Sequence, residues 1–254
     1  MYQPVVVTGA SRGIGRELAL AFARKRHDLV LCARSAELEA AADEARALGV
    51  EVGTVRCNLA TVEGRDDLVG AVEGPVAGLV NNAGFGTAGE FARQDPARER
   101  EMIRLNVEAV VDLTHAFLPR MSRGSFIVNV ASTAGFQPVP LFATYSATKA
   151  FVLSFSEALA EELAPTGIHV MALCPGVTET GFQSVADVQL AGATASAEDV
   201  ARFALDALAK RRRVAIHGVR NALLIQSQRL APRRVVVKIA RRVMEPWFRL
   251  RRPP

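Results

Sequence analysis

Short apolar runs alternate with stretches of helical period through most of this chain. The runs predict strands at VVVTG (5–9), DLVLCA (28–33), VEVGTVRC (50–57), AGLVNNA (77–83), SFIVNVAS (125–132), IHVMALCPG (168–176) and RVAIHG (213–218). Several are apolar throughout, with no polar alternation, which is the pattern of a parallel strand covered on both faces. Between them the spacing predicts helices over 14–26, 35–48, 61–73, 96–121, 142–164 and 196–210. Ser196 opens a capping-box pattern, SAED, and Pro96 and Pro165 fall near helix boundaries. Strand–helix repetition with right-handed crossovers predicts an α/β fold of one domain. It is a doubly wound, Rossmann-type parallel sheet of about seven strands with helices on both faces. No repeat, linker or low-complexity tract interrupts it. That domain is expected over 1–218, including a long loop near 179–196, with 219–254 as a basic amphipathic helical appendage.

Composition adds little. Half of the residues are apolar and 6% aromatic, so the core is built from Val, Ala and Leu. Charge changes the picture more. The net +5 conceals 14 Lys and Arg against 2 Asp and Glu in residues 206–254, and 17 against 24 before them. Basicity belongs to the tail, and a nucleic-acid partner is not expected. Cys32, Cys57 and Cys174 are widely spaced without a CxxC, and read as reduced core residues of a cytoplasmic protein. His27, His115, His169 and His217 are scattered, so no metal site is expected. No signal peptide is expected, and no apolar run approaches the roughly 18 residues that would span a bilayer.

The first strand runs into TGASRGIGREL, with Gly9, Gly13 and Gly15 at G-x3-G-x-G spacing. Glycines at the first βα turn let backbone approach a pyrophosphate, and the helix start offers free N–H groups. Ser11, Arg12 and Ile14 belong to the same turn. The second strand ends in Ala33 and Arg34, without the acid that would bind a ribose 2′-hydroxyl. Two guanidinium groups, Arg12 and Arg34, suit a 2′-phosphate, so NADP(H) is favoured over NAD(H). Strand ends CNLA (Asn58, Leu59) and NNAG (Asn81, Asn82, Ala83, Gly84) lie where an open α/β sheet takes ligands. For Asn81 in particular a purely structural amide reading stands alongside.

YSATK places Tyr145 and Lys149 four apart, on one helix face. Left alone, both titrate near pH 10. Ketone reduction needs a proton for the developing alkoxide, and a nearby ammonium stabilises the phenolate left behind. Taken together, TGASRGIG, NNAG, Asn106, Ser132 thirteen residues before Tyr145, YSATK and PGVTET resemble the short-chain dehydrogenase/reductase family over about 1–218. Longer stretches, LVNNAGFGTAGEF and YSATKAFVLSFSEAL, are similar to a subgroup with steroid and 3-oxoacyl reductases.

The resemblance implies Tyr145 as general acid/base, Ser132 as hydrogen-bond donor to the substrate oxygen, and Lys149 as the holder of the nicotinamide ribose that lowers the Tyr145 pKa. Asn106 would steady a water relaying protons to Lys149. Pro175, Gly176, Val177 and Thr178 would seat the carboxamide, and Thr180 would reach the pyrophosphate. Asn58 stands where the family often has Asp, which implies an altered contact at the adenine edge.

The implied activity is hydride transfer between NADP(H) and a carbonyl or secondary alcohol, in a dimer or tetramer. Reduction of 3-oxoacyl thioesters and a non-enzymatic NADP(H) sensor are the alternatives. Loops carrying Phe85, Phe136, Val139, Leu141, Phe142, Phe182 and Leu190 suit an apolar substrate, or simply cover the sheet. Val185 to Ser196 reads as a closing lid. In the tail, a helix from Pro232 sets Arg234, Lys238, Arg241 and Glu245 on one stripe and Val236, Ile239 and Val243 opposite, ending in Trp247 and Phe248. It suits either peripheral contact with an anionic membrane through 231–254 or docking on protein.

Overall fold

The computed structural model describes residues 3–181, 194–228 and 230–249, with side chains as far as Glu245. The seven expected strands form β1 (Val5–Thr8), β2 (Leu29–Ala33), β3 (Val52–Arg56), β4 (Gly78–Asn81), β5 (Phe126–Val130), β6 (His169–Cys174) and, after a two-residue ladder of β7 (Thr178–Glu179) and β8 (Ala195–Ser196), β9 (Val214–Ile216). All the main-sheet pairings are parallel, in the order β3-β2-β1-β4-β5-β6-β9. Strand order reverses between β1 and β4, and the crevice at that switch point is where such sheets bind ligands.

The continuous apolar runs are explained by what covers them. Val5 and Val7 of β1 pack with one cluster and Val6 with another. The first cluster includes α1 (Gly13–Arg24), α2 (Leu38–Arg46) and α7 (Ala197–Ala209). The second is built under α3 (Val62–Ala71), α4 (Pro96–Ile103) and α5 (Ala109–Phe117). Alternate side chains along one strand therefore enter different cores, and both faces are mostly apolar. Helix α6 (Ala143–Glu162) covers β5 and β6 on the second side. Ser196 is the N-cap of α7, its hydroxyl accepting from the Asp199 amide at 3.0 Å.

The expected helix over 96–121 is not continuous. Residues Arg104–Glu108 form a π-turn between α4 and α5, and Leu118–Arg120 close with a 3₁₀ turn. Asn106 sits in that π-turn, drawn inward to the Phe85 backbone. A single inserted residue over so short a stretch changes no composition and left no readable mark in the sequence.

The tail consists of two helices, α8 (Val219–Gln228) and α9 (Arg233–Arg249). The first lies within the stretch expected to be helical, ahead of the helix expected from Pro232. Its Asn221 amide donates to the His217 carbonyl at 2.8 Å and lies against Gly176. In α9 the inward face is Val236, Ala240 and Met244, whereas Val235, Ile239 and Val243 are exposed. The expected apolar face of Val236, Ile239 and Val243 is thus split: one of its members packs on the body and two face outward. No described helix is long and apolar enough to cross a membrane.

Candidate active site

The carboxyl ends of β1, β4 and β5 open into a cavity of about 500 Å³. At its floor, Thr8 ties the switch point together. Its hydroxyl donates to the Val80 carbonyl at 3.1 Å and accepts from the Asn82 and Ala83 amides at 2.9 and 3.0 Å. The Asn82 side chain donates to the Thr8 and Gly9 carbonyls at 2.9 and 3.2 Å.

The glycine turn follows. Gly9 and Gly13 have φ of 66° and 57°, a conformation that favours residues lacking Cβ. Gly15 meets a different requirement: a Cβ there would stand 2.2 Å from the Gly9 carbonyl oxygen and 2.3 Å from Asn82 Nδ2. It lets α1 settle against the strand ends and does not itself line the cavity. The first turn of α1 carries no acidic residue and no side-chain cap, leaving its N–H groups directed to the cavity end. That cradle fits a pyrophosphate.

Asn81 has the structural role. Its amide donates to Thr114 Oγ1 at 3.2 Å and Asn129 Oδ1 at 2.9 Å, and Asn129 donates onward to Ser156 Oγ at 2.9 Å. Asn106 is also bonded within the protein. It donates to the Phe85 carbonyl at 2.9 Å and to Thr148 Oγ1 at 3.1 Å, and accepts from the Phe85 amide at 3.1 Å. Its side chain thus ties the Phe85 backbone to Thr148 of α6. Asn58 is turned from the cavity as well, its Oδ1 accepting from the Ala60 amide at 3.2 Å, whereas Leu59 lines it.

Tyr145, Lys149 and Ser132 come together at the other end. Ser132 caps a 3₁₀ turn, Thr133–Phe136, accepting from the Ala134 amide at 3.1 Å, and hydrogen-bonds the Tyr145 hydroxyl. Burial pushes the phenol up to about 12, with the Ser132 bond pulling the other way. The Lys149 ammonium lies 5.9 Å from the Tyr145 ring centre and donates to the Val130 carbonyl at 2.7 Å. Burial lowers it to about 8, while Cys174 opposes the shift. One donor of the ammonium is held by Val130, and desolvation is the largest influence at Tyr145.

The remaining expected residues divide clearly. Gly9, Ser11, Arg12, Gly13, Ile14, Arg34, Asn82, Ala83, Gly84, Pro175, Gly176, Val177, Thr178 and Thr180 line the same cavity. Arg34 is half-exposed and bonds Glu101 of α4 at 2.8 Å. Arg12 lies along Gly181. Of the apolar loop residues, Phe85, Val139 and Phe142 line the cavity, Phe136 packs beneath α6, and Leu141 lies outside. Phe182, Leu190 and most of the proposed lid lie outside the described residues, as do the Trp247 and Phe248 side chains.

Sequence reasoning missed several wall positions, four of which bear on the chemistry. Met244 reaches over from α9 to pack with Val139, Phe142 and Tyr145. Glu37 brings a carboxylate to the mouth, where its bond with Ser35 holds it below the usual carboxylate range. Cys32 and Cys57 enter the lining from neighbouring strands. Only Glu37 carried a signal, as an acid four residues beyond Ala33; the others depend on tertiary placement. Among the described residues no cluster of His, Cys, Asp or Glu could hold a metal.

A glycine turn at the first βα junction, opening into one cavity with a Ser–Tyr–Lys set, agrees with comparison to known proteins. The model of the short chain dehydrogenase family matches residues 3–190. This chain is a member of that family of oxidoreductases. It is 36% identical over 189 residues to ketoacyl reductase HetN of a Nostoc species, covering 70% of this chain and 64% of that protein. It is 34% identical over 249 residues to human estradiol 17-beta-dehydrogenase 11, covering 94% of this chain and 82% of the relative. A short-chain dehydrogenase from Sphingobium yanoikuyae, solved in complex with NADPH, superposes with a TM-score of 0.81 at 32% identity, over 90% of this chain and 94% of that one.

Proposed function

We propose that this family member is an NADP(H)-dependent carbonyl reductase and alcohol dehydrogenase for apolar substrates. The observation that carries the reading is the single cavity joining the glycine turn to Tyr145, Ser132 and Lys149. NADP(H), when bound, supplies or accepts the hydride. Gly9, Gly13 and the first turn of α1 would hold its pyrophosphate, Lys149 its nicotinamide ribose, and Pro175 to Thr178 its carboxamide. The phenol of Tyr145, protonated at neutral pH, donates its proton to the substrate oxygen as charge builds there. Ser132 offers a second donor to the same oxygen. The buried Lys149 ammonium stabilises the phenolate that remains, and Phe85, Val139, Phe142 and Met244 exclude water from the exchange.

Selection of the 2′-phosphate falls to Arg12 and Arg34. Glu37 is the one carboxylate in the described lining, and it lies four residues beyond Ala33, away from the strand end. Fluorescence titration should show NADPH bound more tightly than NADH. Arg34→Ala should weaken NADPH roughly 10- to 100-fold, the worth of a charge-assisted contact, and leave NADH nearly unchanged. An equal loss for both dinucleotides would sink the assignment. Reduction of 3-oxoacyl thioesters is favoured by the ketoacyl reductase relative and by the basic tail, which suits an acidic carrier. A panel of apolar ketones and 3-oxoacyl thioesters with NADPH separates the two.

The outward face of α9 supports a peripheral role at an anionic membrane. Val235, Ile239 and Val243 form an exposed apolar stripe in a segment of net +12 charge. The protein is expected to float with phosphatidylserine-containing vesicles, and a Val235→Asp/Ile239→Asp variant to stay behind. Wild-type protein that remains at the bottom of the gradient would end the membrane reading.

A further inference from the structure

Two thiols meet in the wall of the cavity. Cys32 lies on β2, in register with Val55 of β3. Cys57 follows two residues after Val55, so pleating returns its side chain to the same face. Their Sγ atoms are 3.4 Å apart, and neither is in a disulfide. Both border the cavity, close to Ala33 and Leu59. A disulfide requires about 2.04 Å between sulfurs, so closure asks for little more than an ångström of side-chain movement. Cys174 is a built-in contrast: it is buried on β6, with its Sγ directed at the Ala172 carbonyl.

The two sulfurs are not equivalent. The bond shared with Cys57 and burial together push the Cys32 thiol up, while the same bond pulls Cys57 down against its own burial. One thiol keeps its proton and the other ionises more readily, the division of labour between a resolving and an attacking cysteine.

We propose that Cys32 and Cys57 form an oxidation site, closed to a disulfide by hydrogen peroxide that enters through the cavity and shielded when a dinucleotide occupies it. The Cys57 thiolate attacks one peroxide oxygen; an S–O bond forms, the O–O bond breaks, and hydroxide leaves with the proton Cys57 gave up, as water. Cys32 sulfur then attacks the Cys57 sulfur; the S–S bond forms, the S–O bond breaks, and the hydroxyl departs with the Cys32 proton as a second water. The two sulfurs lose two electrons and the peroxide gains them. The shielding rests on the NADP(H) reading above, whereas the cross-link rests on the thiol geometry alone.

The test is peroxide treatment of the reduced full-length protein, followed by alkylation under denaturing conditions and mass analysis of the peptides. Alkylatable thiols should fall from three to one, with a linked peptide joining Cys32 to Cys57 and Cys174 still alkylated. Cys57→Ser should abolish the linked peptide. Three alkylatable thiols after treatment, or a link through Cys174, would overturn the proposal. With NADP+ at about 100 times its Kd, measured separately by fluorescence, cross-linking should slow roughly 100-fold, because only the empty fraction reacts. An unchanged rate with NADP+ demonstrably bound overturns the shielding. Absence of NADP+ binding overturns the cofactor reading while leaving the disulfide result in place.

Discussion

Tyr145→Phe should lower kcat for ketone reduction by roughly 10²- to 10⁴-fold, the usual worth of a positioned proton donor. The substitution removes one oxygen and little else. The ring keeps its packing against Phe142 and Met244, and Lys149 keeps its bond to the Val130 carbonyl. NADPH affinity and thermal stability should therefore stay close to wild type, which separates lost chemistry from lost structure. The pH profile gives a second reading. Burial raises the phenol to about 12, so the donor form persists through neutral pH and is lost only in strong alkali. Reduction should show no alkaline limb from this group below about pH 9, whereas the reverse oxidation, which needs the phenolate, should climb as pH rises. A Phe variant with wild-type turnover would remove Tyr145 from the reaction.

Gly15→Ala should be the most disruptive small substitution at the cofactor end. The added methyl would press on the Gly9 carbonyl oxygen at 2.2 Å and Asn82 Nδ2 at 2.3 Å, and neither is the loose end of a side chain. Asn82 is held by the Thr8 and Gly9 carbonyls, so relief must come from moving α1 off the strand ends. Overpacking of this kind costs about 3 kcal/mol. For a chain of this size that corresponds to a Tm lower by roughly 5–10 °C. Because α1 carries the proposed pyrophosphate cradle, NADPH binding should fail with it. Calorimetry and fluorescence titration read the two effects, and wild-type values in both would refute the packing argument.

Much of this architecture was legible in the sequence because parallel strands buried on both faces leave an unusual mark. VVVT, LVLCA and FIVNV cannot be surface strands, and the helices between them had room for only one kind of crossover. Motif spacing located the lining just as well at Gly9, Gly13, Ser132, Tyr145 and Lys149. It failed where function and packing share a residue type. Gly15, Asn58 and Asn106 belong to the motifs, yet each faces its neighbours and not the cavity, for reasons set by distances of a few ångströms. The π-turn at Asn106 was invisible because one extra residue shifts a helix's phase without altering its composition. Met244 was beyond reach, since nothing local in a basic helix says that its inner face ends beside Tyr145.

The chain of buried amides and hydroxyls behind the site has a bearing on how the protein comes apart. Thr114, Asn81, Asn129 and Ser156 link α5, β4, β5 and α6 in sequence, and all four are sealed from solvent. A cut anywhere in it strands polar groups in the interior, so the strands and helices it joins have little reason to open separately. The helix that carries Tyr145 and Lys149 is thereby counted among the central strands for cooperativity. Mobility needed for ligand exchange must be found at the periphery, and the alignment of phenol and ammonium survives until the middle of the sheet itself gives way.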